Sequence, residues 1–452
     1  MVTQRFNRGC RGVGLFLLLF FTLWRFHNDP AAAAHKDFAQ YYMGGLIARY
    51  HKWGAMYPIP HADSVNNPGD PRNSEMVAGY AQLAQEYRVG MPREGAQAGR
   101  EYDENRFIQA PPMALLFIPL TLLPYMKACV LWQTLMALCG WGIAVIAGRF
   151  YQLLHGSETP GEGAVVLLTA VLSPAMRRSL IPGNISAAMG LMIALSVYGL
   201  VRRDQMRAAG TILLGGLMKY ATGMLVPLAL AMRQFKLLIW MFVGALLLIV
   251  ASVAIEGVEP FRHFVSLLPS LDKPWYERAF FNQSIYGLIF SITNQIPSPG
   301  LLAGIKAVQW ITLVLVLAAV FRRKVTDWEN PALVISGATA LMAWYCIFSP
   351  LFWTHYATYL LAFFGWLCWE AQHGPLLRRV AAALAIAITF VPAGVNAMQH
   401  QPATTYMLWC SLLLLIVAIS RLIEGDAKMA GIDPQFDSSH EMPATPVAAM
   451  VP

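Results

Sequence analysis

Charge is scarce in this chain: only 13% of its 452 residues are charged, against 57% hydrophobic, and the mean hydropathy is +0.48. A soluble globular domain carries roughly 25% charged residues, so a single water-facing fold is excluded and many bilayer spans are implied. Paired cysteine motifs are also missing. Cys10, Cys129, Cys139, Cys346, Cys368 and Cys410 are scattered, five of them in apolar runs, without a Cys-x-x-Cys or a Cys/His cluster. That excludes a disulfide framework and a zinc site. No Walker-type loop, no pattern resembling a nucleotide-sugar fold and no Asp-x-Asp in the polar loops occurs. The carboxylates at Asp63, Asp70, Glu101, Asp103 and Glu104 therefore read as solvated surface, and neither a metal nor a cofactor is expected.

What charge there is leans basic, with a formal net of +8. The basic residues sit in short clusters between apolar segments: Arg202 to Arg207, Arg233 to Lys236, Arg322 to Lys324, Arg378 to Arg379, and Arg421. Such clusters mark cytoplasmic loops under the positive-inside rule and argue against a nucleic-acid partner. Arg5, Arg8 and Arg11 precede the first apolar run, Val13 to Trp24. The run resembles a signal peptide, with Ala31 to Ala34 as the one small-residue stretch where cleavage could fall, but many further spans follow, so it is expected to be a retained anchor with its N-terminus inside.

At about 20 apolar residues per helix, further candidate spans are Ala110 to Leu123, Ala128 to Ala147, Val165 to Ile181, Ile185 to Val201, Ala209 to Met232, Leu237 to Ile255, Leu301 to Phe321, Ala332 to Phe348, His355 to Trp369, Val380 to Val395 and Thr405 to Ile419. The expected fold is an all-α polytopic bundle of ten to thirteen transmembrane helices. The parity does not close between Ala110 and Lys236. Ala110 to Leu123 carries Pro111, Pro112 and Pro119, and Ala209 to Met232 carries Lys219 in its middle, so one or both are expected to be a hairpin or a broken helix. The chain divides into an N-terminal end and first helix (1–26), a first outer loop (27–109), a multi-span region (110–424) and a disordered cytoplasmic tail (425–452).

The outer loop is where the polar residues collect. Asp37 to Tyr57 places Phe38, Tyr41, Tyr42, Ile47 and Tyr50 at helical spacing, which predicts an amphipathic helix lying at the membrane interface. A carboxylate just outside the first span, flanked by aromatics, is where an enzyme acting on a lipid-borne substrate would carry its base. Asp37 equally suits a helix N-cap. The remaining candidates also have two readings each. Lys219 would either face a cavity and hold an anion or snorkel to an interface. His355 is either a hydrogen-bonding group of the site or part of the aromatic belt. Asn282, Gln283 and Ser284 would bind sugar hydroxyls or cap a helix. Asn184, next to Gly183, marks a helix break, and Arg177 with Arg178 would either contact a phosphate or set topology.

Asp37-Phe38-x-x-Tyr41-Tyr42, Gly54-x-x-Tyr57, Ala110-Pro111-Pro112-x-x-Leu115-Leu116-x-x-Pro119, Ser173-Pro174, Gly183-Asn184, Lys219, Phe281-Asn282-Gln283-Ser284 and Ser349-Pro350-x-x-Trp353-x-His355 follow one another in order. Together they resemble the bacterial polyprenol-phosphate-dependent glycosyltransferases of family 87 in the GT-C superfamily, which include mycobacterial mannosyl- and arabinofuranosyltransferases. The chain departs from that pattern at Gly183-Asn184-Ile185-Ser186, where Gly-Gln-x-Asn is usual, at Gln109-Ala110, and in the spacing from Lys219 to Pro227. The resemblance implies a GT-C bundle in the bacterial cytoplasmic membrane with its site facing outward. It implies a polyprenyl-phosphate sugar as donor, a glycan or glycolipid as acceptor, and Asp37 as the base. Tyr41, Tyr42, Asn184, Arg177, Lys219, Asn282, Gln283 and His355 are the corresponding substrate-binding candidates. A single inverting displacement needs one catalytic carboxylate, since the phosphate leaves without a general acid. Two other classes remain: a transporter or flippase for a lipid or small polar solute, which would show internal repeats, and a noncatalytic envelope-assembly protein.

Overall fold

The computed structural model describes residues 2–28, 37–53, 56, 82–83, 85–87, 89, 109–180, 183–271, 282–293, 295, 297–350, 352–389 and 406–424. These residues are predominantly helical and contain no strand. Their sole β-type pairing is an isolated antiparallel bridge between Asn282 and Trp353. The helices are α1 (Val2–Asn28), α2 (Asp37–Arg49), α3 (Pro111–Phe117), α4 (Tyr125–His155), α5 (Pro160–Leu167), α6 (Pro174–Leu180), α7 (Ser186–Arg202), α8 (Gln205–Met218), α9 (Val226–Ala231), α10 (Phe235–Glu256), α11 (Glu259–Leu271), α12 (Ile285–Thr293), α13 (Pro299–Phe321), α14 (Pro331–Phe348), α15 (Thr358–Leu361), α16 (Phe364–His373), α17 (Leu376–Thr389) and α18 (Tyr406–Glu424).

Six of them, α1, α4, α10, α13, α14 and α18, are long and apolar enough to cross a bilayer. Their surroundings differ. Helix α14 is buried on nearly every side and forms the middle of the bundle, packed against α18, whereas α10 and α13 expose most of their apolar surface as lipid-facing helices do.

Both segments that broke the parity are interrupted. The Pro111 segment runs through seven α-helical residues into a 3-10 turn over Ile118–Leu122, about 20 Å in all, too short to cross a bilayer core of about 30 Å. The Lys219 segment stops at Met218, passes through Lys219 in extended conformation (φ −160°, ψ 141°), and folds back as a 3-10 turn and α9. Thr222 Oγ1 donates to the Ile212 carbonyl at 2.8 Å, clamping the returning strand of chain onto α8. The expected span at Val165 to Ile181 is also discontinuous: α5 widens into a π-turn over Leu168–Leu172 and restarts at Pro174.

The amphipathic helix expected at Asp37 is a correction. Helix α2 spans Asp37–Arg49, and every residue from Phe38 to Ala48 is buried, so it has no water-facing side. It packs against α3 and the 3-10 turn that follows, with the Tyr42 hydroxyl donating to the Leu123 carbonyl at 2.8 Å and Arg49 to the Thr121 carbonyl at 2.7 Å. The stripe of aromatics found only one face of a helix whose other face, Ala39, Met43, Gly44 and Ala48, is small enough to be covered as well. At Gly45 a Cβ would lie 2.8 Å from the Phe117 carbonyl oxygen, so the glycine permits this approach.

The basic clusters gather at one end of the bundle. Arg203 pairs with Glu329, Arg322 and Arg323 donate to the last carbonyls of α18, and buried Glu370 pairs with Arg378 and Arg421. Cations on helix C-termini complement the partial negative charge there. Helix α1 is held near the base of α4 and α5, where Asn7 and Arg11 both bond buried Glu162. The expected tail from Gly425, Phe281, and most of the loop from Gly54 to Ile108, with Asp63, Asp70, Glu101, Asp103 and Glu104, lie outside the described residues.

Candidate active site

The opposite end of the bundle is built around Asp37. As the first residue of α2 its carboxylate lies where a helix N-terminus favours negative charge. Asn184 Nδ2 donates to its Oδ2 at 2.7 Å, and Gln40 Nε2 approaches Oδ1 at 3.4 Å. The Asn184 amide has no freedom to turn round. Its Oδ1 accepts from the Ser186 backbone N–H at 2.8 Å and from the Ser186 hydroxyl, at the start of α7, so the NH2 must face Asp37.

Gly183 makes this possible. Its φ of +64° lies in the left-handed region that favours glycine, and a Cβ there would meet Phe38 Cβ at 3.2 Å. Its carbonyl accepts from Trp132 Nε1 at 2.6 Å. Trp132 also stacks on Phe38, while Tyr41 lies nearly parallel to Phe117 at 5.1 Å. The aromatics that looked like an interface belt are therefore a buried wedge seating the first turn of α2. The Tyr41 hydroxyl meets the Gln109 side chain and the Ile185 backbone; burial, and then the negative charge of Asp37, push its phenol far above the ordinary range, so it remains a neutral donor. Tyr42 points elsewhere, its hydroxyl taken by Leu123.

Lys219 enters from the break between α8 and the 3-10 turn. Its Nζ sits 3.7 Å above the centroid of the Tyr356 ring, and it interacts through space with the charge of Asp37. An ammonium on an aromatic face inside a low-dielectric bundle is a cation–π pair. Thr358 Oγ1 donates to the Ser186 carbonyl at 3.0 Å, so the Tyr356 turn under Lys219 is tied to the segment that holds Asp37. Tyr356 stands edge-on to His355 at 4.5 Å, and His355 faces Trp353 at 5.5 Å, all within the 3-10 turn Thr354–Ala357 and its preceding residue. Buried His355 therefore belongs to the wall that carries Lys219.

Asn282 and Gln283 are expected to bind sugar hydroxyls, and both side chains bond to backbone. Asn282 Nδ2 donates to the Pro350 carbonyl at 2.8 Å, and its Oδ1 accepts from the N–H groups of Phe352 and Ser284 at 3.0 and 3.1 Å. Gln283 N–H donates to the Phe352 carbonyl at 2.6 Å, and Gln283 Oε1 accepts from Met407 N–H at 3.3 Å. These side chains staple the segment leading into His355 to α12 and α18. Arg177 is exposed on α6, a helix that packs against the same 3-10 turn; the Arg178 side chain lies outside the described residues.

Tyr356 and Trp132 escaped the sequence reading. Tyr356 directly follows His355 in a motif already singled out, so adjacency was the available signal; Trp132 is one aromatic in an apolar helix and had none. Among the described residues, no group of three His, Cys, Asp or Glu lies together as a metal site would need. A carboxylate in a polar nest beside a cation on an aromatic wall can accept a proton from a hydroxyl and neutralise an anion at the same site.

A family model described as glycosyltransferase family 87 matches residues 107–350. The match contains Asn184, Lys219 and Asn282; Asp37 lies 70 residues before it and His355 five residues after it. No curated protein and no solved structure matches the chain.

Proposed function

Since the chain belongs to glycosyltransferase family 87, we propose that it is a membrane glycosyltransferase that moves a sugar from a polyprenyl phosphate to a glycan or glycolipid acceptor. The observation that carries this reading is the pairing of Asp37 with Asn184 beside the turn whose Tyr356 ring lies under Lys219. Asp37 is the base. It takes the proton of the acceptor hydroxyl as that oxygen bonds to the anomeric carbon and the bond from that carbon to the phosphate oxygen breaks. The electron pair leaves with the phosphate, whose charge Lys219 offsets, and the configuration inverts.

Asn184 supports this chemistry by holding the Asp37 carboxylate in one rotamer, and the Tyr41 phenol adds a neutral neighbour that does not compete for the proton. His355 lies on the donor side with Lys219, and Arg177 is assigned to the approach of the anionic headgroup. Asn282 and Gln283 position the His355 turn. Counting α1, α4, α5 with α6, α7, α10, α13, α14, α15 with α16, α17 and α18 as spans, the chain crosses about ten times. The Pro111 and Lys219 segments enter without crossing. With the basic end in the cytoplasm, Asp37 faces the outside of a bacterial cytoplasmic membrane.

The test is transfer by the purified full-length chain supplied with polyprenyl-phospho-mannose, -glucose and -arabinofuranose and with glycan and glycolipid acceptors. Product from at least one donor, lost on Asp37→Asn at unchanged folding, is expected. Full activity in Asp37→Asn would remove Asp37 from the chemistry. No product from any donor, together with donor movement across vesicles, would favour a flippase.

A further inference from the structure

We propose that Glu256 binds the hydroxyls of the acceptor sugar at the mouth of the site, a reading that rests on the transferase function above. Helix α10 is the most lipid-exposed of the long helices, and its buried residues are Leu237, Ser252 and Glu256. Ser252 and Glu256 are one turn apart and share a face. Glu256 is 4% exposed and Ser252 1%; the Ser252 hydroxyl is the carboxyl group's one polar neighbour among the described residues, and no oxygen of either side chain reaches good hydrogen-bond geometry. A buried carboxyl with a single weak partner is costly, and an ionisable side chain turned inward from a lipid-facing helix ordinarily marks a substrate path.

The position of Glu256 decides what it would bind. Helix α10 packs against α8, which ends at Lys219, and against α3, which seats the Asp37 helix. Gly244 lies against Leu213, and because the Lys219 turn folds back on α8, both helices run toward the Asp37 end. From that register, Lys219 is level with the residues near Val250, and Glu256 stands about 9 Å further along the helix toward the Asp37 end at 1.5 Å per residue. A carboxylate repels the donor phosphate, which the Lys219 ammonium attracts. It also accepts two hydrogen bonds from neighbouring hydroxyls, as a polyol presents them. The deeper cation therefore suits the donor, and the outer anion suits the incoming sugar.

The test uses the full-length chain in lipid nanodiscs and reads binding of methyl α-mannoside, methyl β-glucoside, methyl α-galactoside and methyl α-arabinofuranoside by saturation-transfer NMR. The native chain is expected to bind at least one glycoside. Glu256→Gln should weaken that binding about 10- to 100-fold, the loss expected for hydrogen bonds to a charged acceptor. Exposed Glu259→Gln, three residues away, should leave it unchanged. In thermal unfolding, Glu256→Leu should keep or raise the midpoint, because it removes a buried carboxyl whose hydrogen-bonding capacity the fold leaves largely unused. Equal binding by the native chain and Glu256→Gln, absence of glycoside binding by the native chain, or a large stability loss in Glu256→Leu would each overturn the proposal. Glu256-dependent binding in a chain that transfers from no donor would support it while refuting the transferase reading.

Discussion

Asn184 Nδ2 and Asp37 Oδ2 are 2.7 Å apart across 147 residues of sequence. The pairing gives the departure from Gly-Gln-x-Asn at Gly183-Asn184 a physical role: the asparagine beside the left-handed glycine reaches the carboxylate directly. Asn184→Ala removes a hydrogen bond to a charged group and leaves the Asp37 rotamer unsupported. The expected result is a kcat about 10- to 100-fold lower with a nearly unchanged KM for donor. Steady-state kinetics with a fixed acceptor check this, and a pure KM effect would contradict it.

Lys219 and Tyr356 form a second testable pair. Replacing Lys219 by Met removes the charge offered to the leaving phosphate and is expected to lower kcat/KM about 100- to 1,000-fold, in line with the loss of one electrostatic stabiliser. Tyr356→Phe keeps the ring under the ammonium and should retain most activity. Tyr356→Leu removes the aromatic face and should cost about 10- to 30-fold, the scale of a desolvated cation–π contact. Equal activity of the Phe and Leu variants would show that the ring does not hold Lys219.

Asn282 is expected to matter for the architecture of the site more than for contact with sugar. Its amide bridges Pro350, Phe352 and Ser284, so Asn282→Ala leaves buried backbone groups unpaired at about 1–3 kcal/mol each. The prediction is a lower unfolding midpoint together with reduced turnover. Asn282→Asp, which keeps the acceptor but loses the donation to Pro350, should fall between. Normal stability with a selective rise in acceptor KM would instead return Asn282 to sugar binding.

The far end of the molecule supplies a control. Glu370 is fully buried between Arg378 and Arg421, and Arg378 also reaches Glu424 at 3.1 Å. Glu370→Ala takes the shared carboxylate from Arg378 and Arg421 and leaves Arg378 with Glu424 alone, a break in a buried ion-pair network that costs up to about 3–5 kcal/mol. Thermal stability in detergent is expected to drop sharply. Protein that survives purification should keep the native KM for donor and acceptor, because the network lies at the end opposite Asp37.

Hydropathy by itself determined that this is a membrane protein, which segments are long and apolar, and where basic clusters lie. Prolines 111 and 112 and the charge of Lys219 also made two interruptions legible, since each violates a rule of continuous helix in lipid. Hydropathy could not orient α2, because in a membrane bundle the covered face and the lipid face are both apolar and a buried helix carries no polar stripe. Only the tertiary structure decided that Asn184 meets Asp37, that Lys219 rests on Tyr356, and that Asn282 is spent on backbone. These contacts join residues tens to more than a hundred positions apart, and their partners are chosen by helix packing and by the few polar groups that must find one another where no water reaches.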